Sequence, residues 1–302
     1  MQELNLVKNS TLFREKDKSL LILTNRKKYN LPIGDYLRVL AFVPNLGFKK
    51  IYFVGDKKLL LLSKEYNFII SIKYSNKKMI SFLKKDSFIL DIEKNGKNSD
   101  KIFYFKSMLN KNNDYKQNMA DILKNLSKYF KLKKYKLFTS ALKKQKICQD
   151  IYFSWQAPMN WKIKEYPKIK LNRVNLKLKK ELGLKTKFQR KNESMKSYIK
   201  NIKSSEIIVS IVNLGCHIAN LFDKKLVMLS GPNYHEDSKL NKKQITVFPT
   251  QFCNLHKKKF KNKKFKNRVG TLPKNTNACS CMNNINENEI FNQVKNLLNE
   301  KI

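Results

Sequence analysis

A chain of 302 residues with 41% apolar content can bury a sizeable core, and its length fits two domains of ordinary size. The formal net charge of +41 points first to nucleic acid, yet arginine stands only at Arg14, Arg26, Arg38, Arg173, Arg190 and Arg268, so nearly all of the 64 basic residues are lysines spread from end to end. Specific nucleic-acid readers favour the arginine fork. The lysine, asparagine and isoleucine bias instead matches A/T-rich codons and leaves a surface that attracts polyanions and anionic headgroups in general.

In chain order, short apolar runs at 20–24, 51–54, 68–72 and 87–92 read as strands. Helical stretches near 35–44, 57–65 and 76–85 alternate with them. A longer helix over 117–130 has apolar residues at helical spacing. The lysine-rich segment 131–150 reads as the linker. Strand-like character resumes at 151–155 (IYFSW), followed by helices over 173–182 and 195–203 and a short strand near 185–188. The stretch 206–232, EIIVSIVNLGCHIANLFDKKLVMLSGP, reads as strand, tight loop, short helix, strand and Gly-Pro turn. A basic, patternless loop is expected over 252–277, and an amphipathic helix over 287–301 closes the chain. Strands alternating with helices predict an α/β fold with parallel sheets. The boundary falls near residue 145, giving domains 1–145 and 146–302.

Residues 1–18 lack the apolar core of a secretory signal, and no run approaches the ~20 apolar residues of a membrane span. Five cysteines, an odd number, suit free thiols in a reducing compartment. Together these features predict a cytoplasmic protein.

The loop between the strand at 207–212 and the next helix is the first candidate site. Asn213 is a good cap, Gly215 permits a backbone shape closed to other residues, and Cys216-His217 would open the helix. Backbone N–H groups and the helix dipole there favour an anion, although many loops of this kind bind nothing. Gly34-Asp35 opens an earlier helix, where the aspartate serves equally as a cap or as a general base. Ser154-Trp155-Gln156 ends the first strand of the second domain, and the same loop carries Trp161 and Lys164; a lysine there can neutralise a diphosphate and the indoles can stack on a ring. Cys253-x-x-His256 and Cys279-x-Cys281 hold zinc-type ligands, but their spacing is atypical and loose thiols are the plainer reading. No G-x-G-x-x-G, Walker loop or serine-hydrolase elbow is present.

Four segments, in order, resemble glycosyltransferase family 9, which contains the lipopolysaccharide heptosyltransferases. IGDYLRVL (33–40) resembles the family's "GD" helix start. SWQAPMNWKIKEYP (154–167) resembles its loop ending in K-x-W-P, and HIANLFDKKLVMLSGP (217–232) matches the block H-x-A-A-x-x-x-K-P-V-V-x-L-F-G-P without a gap. CMNNINENEIFNQVKNLL (281–298) resembles its closing helix. The resemblance implies a GT-B architecture, two Rossmann-like domains with parallel sheets facing across a cleft. It implies an inverting, metal-independent transferase with no cofactor, moving a heptose or related sugar from a nucleotide-diphosphate sugar to a glycolipid, lipopolysaccharide-type or other glycan acceptor.

By the same resemblance Asp35 is the base, with Gly34 and Arg38 on the acceptor side. Ser154, Trp155, Gln156, Lys164, Asn213, Gly215, Cys216, His217, Ser230, Gly231 and Pro232 surround the donor, and the lysine-rich surface would meet anionic lipid at the inner face of the plasma membrane. Where the family carries Asp-(Ser/Thr)-Gly ahead of the histidine, this chain reads Val212-Asn213-Leu214-Gly215-Cys216-His217, without the acid. Two rivals follow: a member that binds nucleotide or glycan without turnover, and a charge-driven nucleic-acid-binding protein.

Overall fold

In the computed structural model the chain forms two compact units, Met1–Lys143 and Lys144–Ile302. The described residues are 19–24, 33–66, 69–91, 102–104, 146–157, 163–231, 243–254 and 280–300. The first unit runs β1 (Ser19–Leu23), α1 (Ile33–Phe42), β2 (Lys50–Gly55), α2 (Lys57–Ser63), β3 (Ile69–Lys73), α3 (Lys77–Asp86), β4 (Ser87–Asp91) and β5 (Ile102–Tyr104). Its strands are parallel in the order β3-β2-β1-β4-β5. The first strand therefore sits in the middle, and the chain turns to opposite sides of it. That reversal opens a crevice at the carboxyl ends of β1 and β4. Leu21, Val54, Ile72, Leu83 and Ile89 pack one face of the sheet against α3.

Local chemistry explains the boundaries. Asp56 caps α2 by accepting from the Lys58 and Leu59 amides at 2.9 and 3.0 Å. Asn76 caps α3 by accepting from the Met79 amide at 3.3 Å. The helix expected over 35–44 begins at Ile33 and ends at Phe42. A short 3₁₀ turn, Val43–Leu46, follows, because Pro44 breaks the α pattern and Gly47 takes the left-handed φ of 75°.

The second unit runs β6 (Gln149–Ser154), α4 (Lys168–Leu182), β7 (Thr186–Phe188), α5 (Met195–Lys203), β8 (Ser205–Ile211), α6 (Leu214–Leu221), β9 (Lys225–Leu229), β10 (Gln244–Val247) and α7 (Glu287–Asn299). All five strands are parallel, in the order β10-β9-β8-β6-β7. The switch point lies between β6 and β8, where Ser154 stands opposite Ser210 in the register. One face carries Ile151, Phe153, Ile207, Val209, Val227 and Leu229, packed against residues of α4 and α7 such as Leu171, Leu178, Ile290 and Val294.

β5 and β10 were not expected from the sequence. α4 starts five residues before the expected 173, and α6 opens at Leu214 rather than at Cys216. The helix expected over 117–130 and most of the 252–277 loop lie outside the described residues. Among the described residues, no helix is long and apolar enough to cross a membrane.

Candidate functional site

The strand period of two puts Ile151 and Phe153 on the core face and Tyr152 and Ser154 on the other. β8 repeats this with Val209 and Ser210, so two buried hydroxyls meet at the carboxyl ends of adjacent central strands. Asn213, in extended conformation, joins them. Its Oδ1 accepts from the Gly215 amide at 2.7 Å and from Ser210 Oγ at 3.0 Å. Its Nδ2 donates to the Gln156 carbonyl at 3.0 Å and to Ser154 Oγ at 3.2 Å. One side chain thus caps α6 and ties it to the end of β6. An aspartate could accept the same bonds but could not donate to Gln156, so asparagine suits the pairing made here.

Gly215 fits this turn through space rather than through backbone freedom. Its φ is not in the left-handed region; among the described glycines only Gly47 and Gly183 are. A Cβ at 215 would lie 2.5 Å from Ser154 Oγ, 2.6 Å from Tyr198 Oη and 2.8 Å from Ser210 Oγ. Ser154 Oγ and Tyr198 Oη are themselves 2.5 Å apart. The first turn of α6 is thereby pressed onto a floor of hydroxyls. Cys216 is buried and its thiol donates to the Ile211 carbonyl at 3.0 Å, so it anchors the helix from inside, while the next residue, His217, is half-buried.

Beneath this floor lies a polar network that sequence reasoning missed. Tyr152 Oη and Asn201 Nδ2 both donate to the Glu193 carboxylate, Ser197 Oγ donates to it at 3.0 Å, and Lys187 Nζ donates to Asn201 Oδ1 at 2.8 Å. Burial pushes the Tyr152 and Tyr198 hydroxyls far above the ordinary phenol range, and the Glu193 carboxylate raises Tyr152 further. Both stay protonated and act as fixed hydrogen-bond groups. The signal available in the sequence was the polar half of the IYFS alternation.

On the β7 side of the same strand ends, a groove of about 1110 Å³ runs past Trp155, Gln156 and Gln189, with Lys168, Lys187 and Arg190 on its walls. Trp155 does not stand free: its Nε1 donates to the Gln189 carbonyl at 3.3 Å, and Lys168 Nζ lies 5.8 Å from its ring centre. The Gln156 amide donates to Gln189 Oε1 at 3.2 Å, and the Ala157 amide to Glu165 Oε1 at 3.1 Å. The latter bond returns the loop to β6 one residue after the half-buried Lys164.

Ser154, Gln156, Asn213 and Gly215 are therefore joined directly. Ser230 and Gly231 lie just past β9, which flanks β8; Ser230 is buried and its amide donates to the Val247 carbonyl at 3.0 Å. Gly231 is pressed against Met282, where a Cβ would fall 2.3 Å from Sδ and 3.2 Å from the backbone N. Gly231→Ala should therefore cost about 1–3 kcal/mol in chemical denaturation, and Met282→Ala in the same chain should recover part of it. An unchanged midpoint would mean that this contact is slack.

Gly34 is buried in the first turn of α1. Asp35 and Arg38 lie on the same helix, and their side chains, like Trp161 and Pro232, lie outside the described residues. Cys253 and Cys281 are brought together, Sγ to Sγ 3.5 Å, with the Cys253 amide donating to Cys281 Sγ at 3.3 Å. His256 and Cys279 lie outside the described residues, and among the described ones no group of three or more metal-ligating side chains gathers.

The sequence matches no family model and no curated protein. Solved structures do match. The glycosyl transferase family 9 protein from Veillonella parvula DSM 2008 superposes with a TM-score of 0.63 at 14% identity, covering 95% of this chain and 99% of its own. The E. coli ADP-heptose lps heptosyltransferase II does so with a TM-score of 0.57 at 11% identity, covering 93% of this chain and 98% of its own. E. coli heptosyltransferase WaaC with ADP gives 0.52 at 10% identity, over 76% of this chain and 92% of its own. The chain carries, over nearly its whole length, the fold of these glycosyltransferase family 9 and heptosyltransferase structures.

Proposed function

We propose that this chain is a glycosyltransferase that takes a heptose or related sugar from a nucleoside-diphosphate sugar and transfers it, with inversion and without a metal, to a sugar hydroxyl of a glycolipid or other glycan. The observation that carries the reading is the Asn213–Gly215 turn. A helix N-terminus is clamped against the carboxyl ends of β6 and β8, at the switch point of a parallel sheet, in a fold shared with structures whose names include ADP-heptose. That is where a diphosphate gains most from backbone N–H groups and a helix dipole.

In this reading Asp35 takes the proton of the acceptor hydroxyl as its oxygen attacks the anomeric carbon. The bond from that carbon to the diphosphate breaks, and the nucleoside diphosphate leaves. Lys164, the backbone around Gly215, Cys216 and His217, and Ser230 with Gly231 and Pro232 hold its charge. Ser154 and Asn213 keep the turn in place, and Trp155 and Gln156 border the basic groove that takes the rest of the nucleotide. Gly34 and Arg38 are assigned to the acceptor side. The enzyme works in the cytoplasm, against anionic membrane that presents the acceptor.

A binder without turnover is the rival, favoured by the absence of an acid at positions 212–216. Release of ADP from ADP-heptose in the presence of a lipopolysaccharide-core acceptor separates the two. The proposal expects acceptor-dependent release. Binding of the donor with no release over hours would support the rival.

A further inference from the structure

The first unit carries an apolar patch that the donor site does not use. Ile70, on β3 at the edge of the sheet, is exposed, as are Tyr74 in the turn after it and Met79 and Phe82 on α3. Phe82 is 65% exposed. Single exposed apolar residues are ordinary, but Ile70, Met79 and Phe82 belong to one stretch of surface across β3 and α3, with Tyr74 in the turn that connects the two elements. Ile70 and Met79 line one groove of about 320 Å³, and Met79 and Phe82 are three residues apart on one helix face. The inward face of α3 is already satisfied by Leu83 and Ile80, so Phe82 points away from the core it could have joined.

The charge around the patch names its partner. Lys73, Lys77, Lys78, Lys84 and Lys85 are all exposed around it, against one exposed carboxylate at the end of α3, Asp86. Lys78 and Lys85 stand four residues before and three after Phe82 on the same helix, so the spacing places both lysines on the stretch of helix surface that bears the ring. Aromatic and thioether side chains ringed by lysine fit the boundary of an anionic bilayer. There the apolar groups enter the acyl region and the ammonium groups meet phosphate headgroups. Nucleic acid would use the lysines but gain little from an outward Phe–Met–Ile cluster.

We propose that this face, centred on Phe82, docks the protein on anionic membrane. It gives the membrane contact of the proposed function an address, and its test depends neither on a donor nor on turnover. The probe is the full chain co-sedimented with vesicles of phosphatidylcholine, with and without about one-third phosphatidylglycerol, at physiological salt. The wild type should bind the anionic vesicles and not the neutral ones. Met79→Ser with Phe82→Ser should lower partitioning about tenfold or more, with an unchanged thermal midpoint. The control pair Ile169→Ser with Leu176→Ser, equally exposed at 65% each on α4, should leave it unchanged. Equal loss in both pairs, or none in either, would overturn the proposal in favour of diffuse lysine attraction. A change in self-association without lipid, seen only in the Phe82 pair, would make the patch an interface between copies instead.

Discussion

Adding one methyl group at position 215 should destabilise the second unit by about 3 kcal/mol and lower its thermal midpoint by roughly 6–12 °C. The backbone conformation is not the obstacle, since Gly215 does not use the left-handed region. The obstacle is three hydroxyl oxygens at 2.5, 2.6 and 2.8 Å from the new carbon, all belonging to groups that are buried and bonded to one another or to Asn213. Moving any of them leaves a buried polar group short of a partner, which adds to the steric cost. The source of the strain can be isolated. Ser154→Ala with Tyr198→Phe removes the two nearer oxygens, and in that background Gly215→Ala should cost less than half as much by calorimetry. An equal cost in both backgrounds would show that the hydroxyl floor is not what demands glycine.

Asp35→Asn should leave the fold and nucleotide affinity intact and reduce turnover by about 10²–10⁴-fold, equivalent to about 3–5 kcal/mol of transition-state stabilisation. The residue stands in the first turn of α1, the helix that follows the central strand β1. Asparagine keeps the size and can still accept a hydrogen bond, but cannot take a proton at working pH. The competing role is that of a helix-terminal charge, worth at most about 1 kcal/mol in stability and nothing in rate. The two roles separate in one experiment, in which kcat for ADP release and the thermal midpoint are measured on the same preparation. Normal turnover with a slightly lower midpoint would reduce Asp35 to a cap.

The central strands were legible because strands buried on both faces become continuous apolar runs. IIVSI and LVML show it in the second unit, and LLILT and IYFV in the first. Asn213 was legible as a cap because its side chain bonds within its own loop, accepting from the Gly215 amide. Gly215 was legible as a special position for the wrong reason. The sequence points to backbone freedom, while the requirement comes from Ser154 and Tyr198, 61 and 17 residues away and invisible to local pattern. The first turn of α4 was missed because Pro167 precedes it with no side-chain cap to announce it. β10 is only four residues, QITV, with half of them polar, and takes its strand character from pairing with β9. The Glu193 network was hidden because its members come from β6, β7, the β7–α5 loop and α5, and only folding puts them together.

The most direct test of the account is a titration of ADP, with GDP, UDP and a short RNA alongside, into the full chain at moderate salt, followed by thermal shift and calorimetry. The account predicts that one nucleoside diphosphate, ADP by likeness to the heptosyltransferase structures, stabilises the protein by about 2.7 kcal/mol at a hundredfold excess over its Kd. It also predicts that Lys164→Ala weakens that binding about tenfold, as expected for loss of one charge-assisted contact. A protein that ignores every nucleoside diphosphate, or responds only to RNA with a shift that salt abolishes, would contradict it.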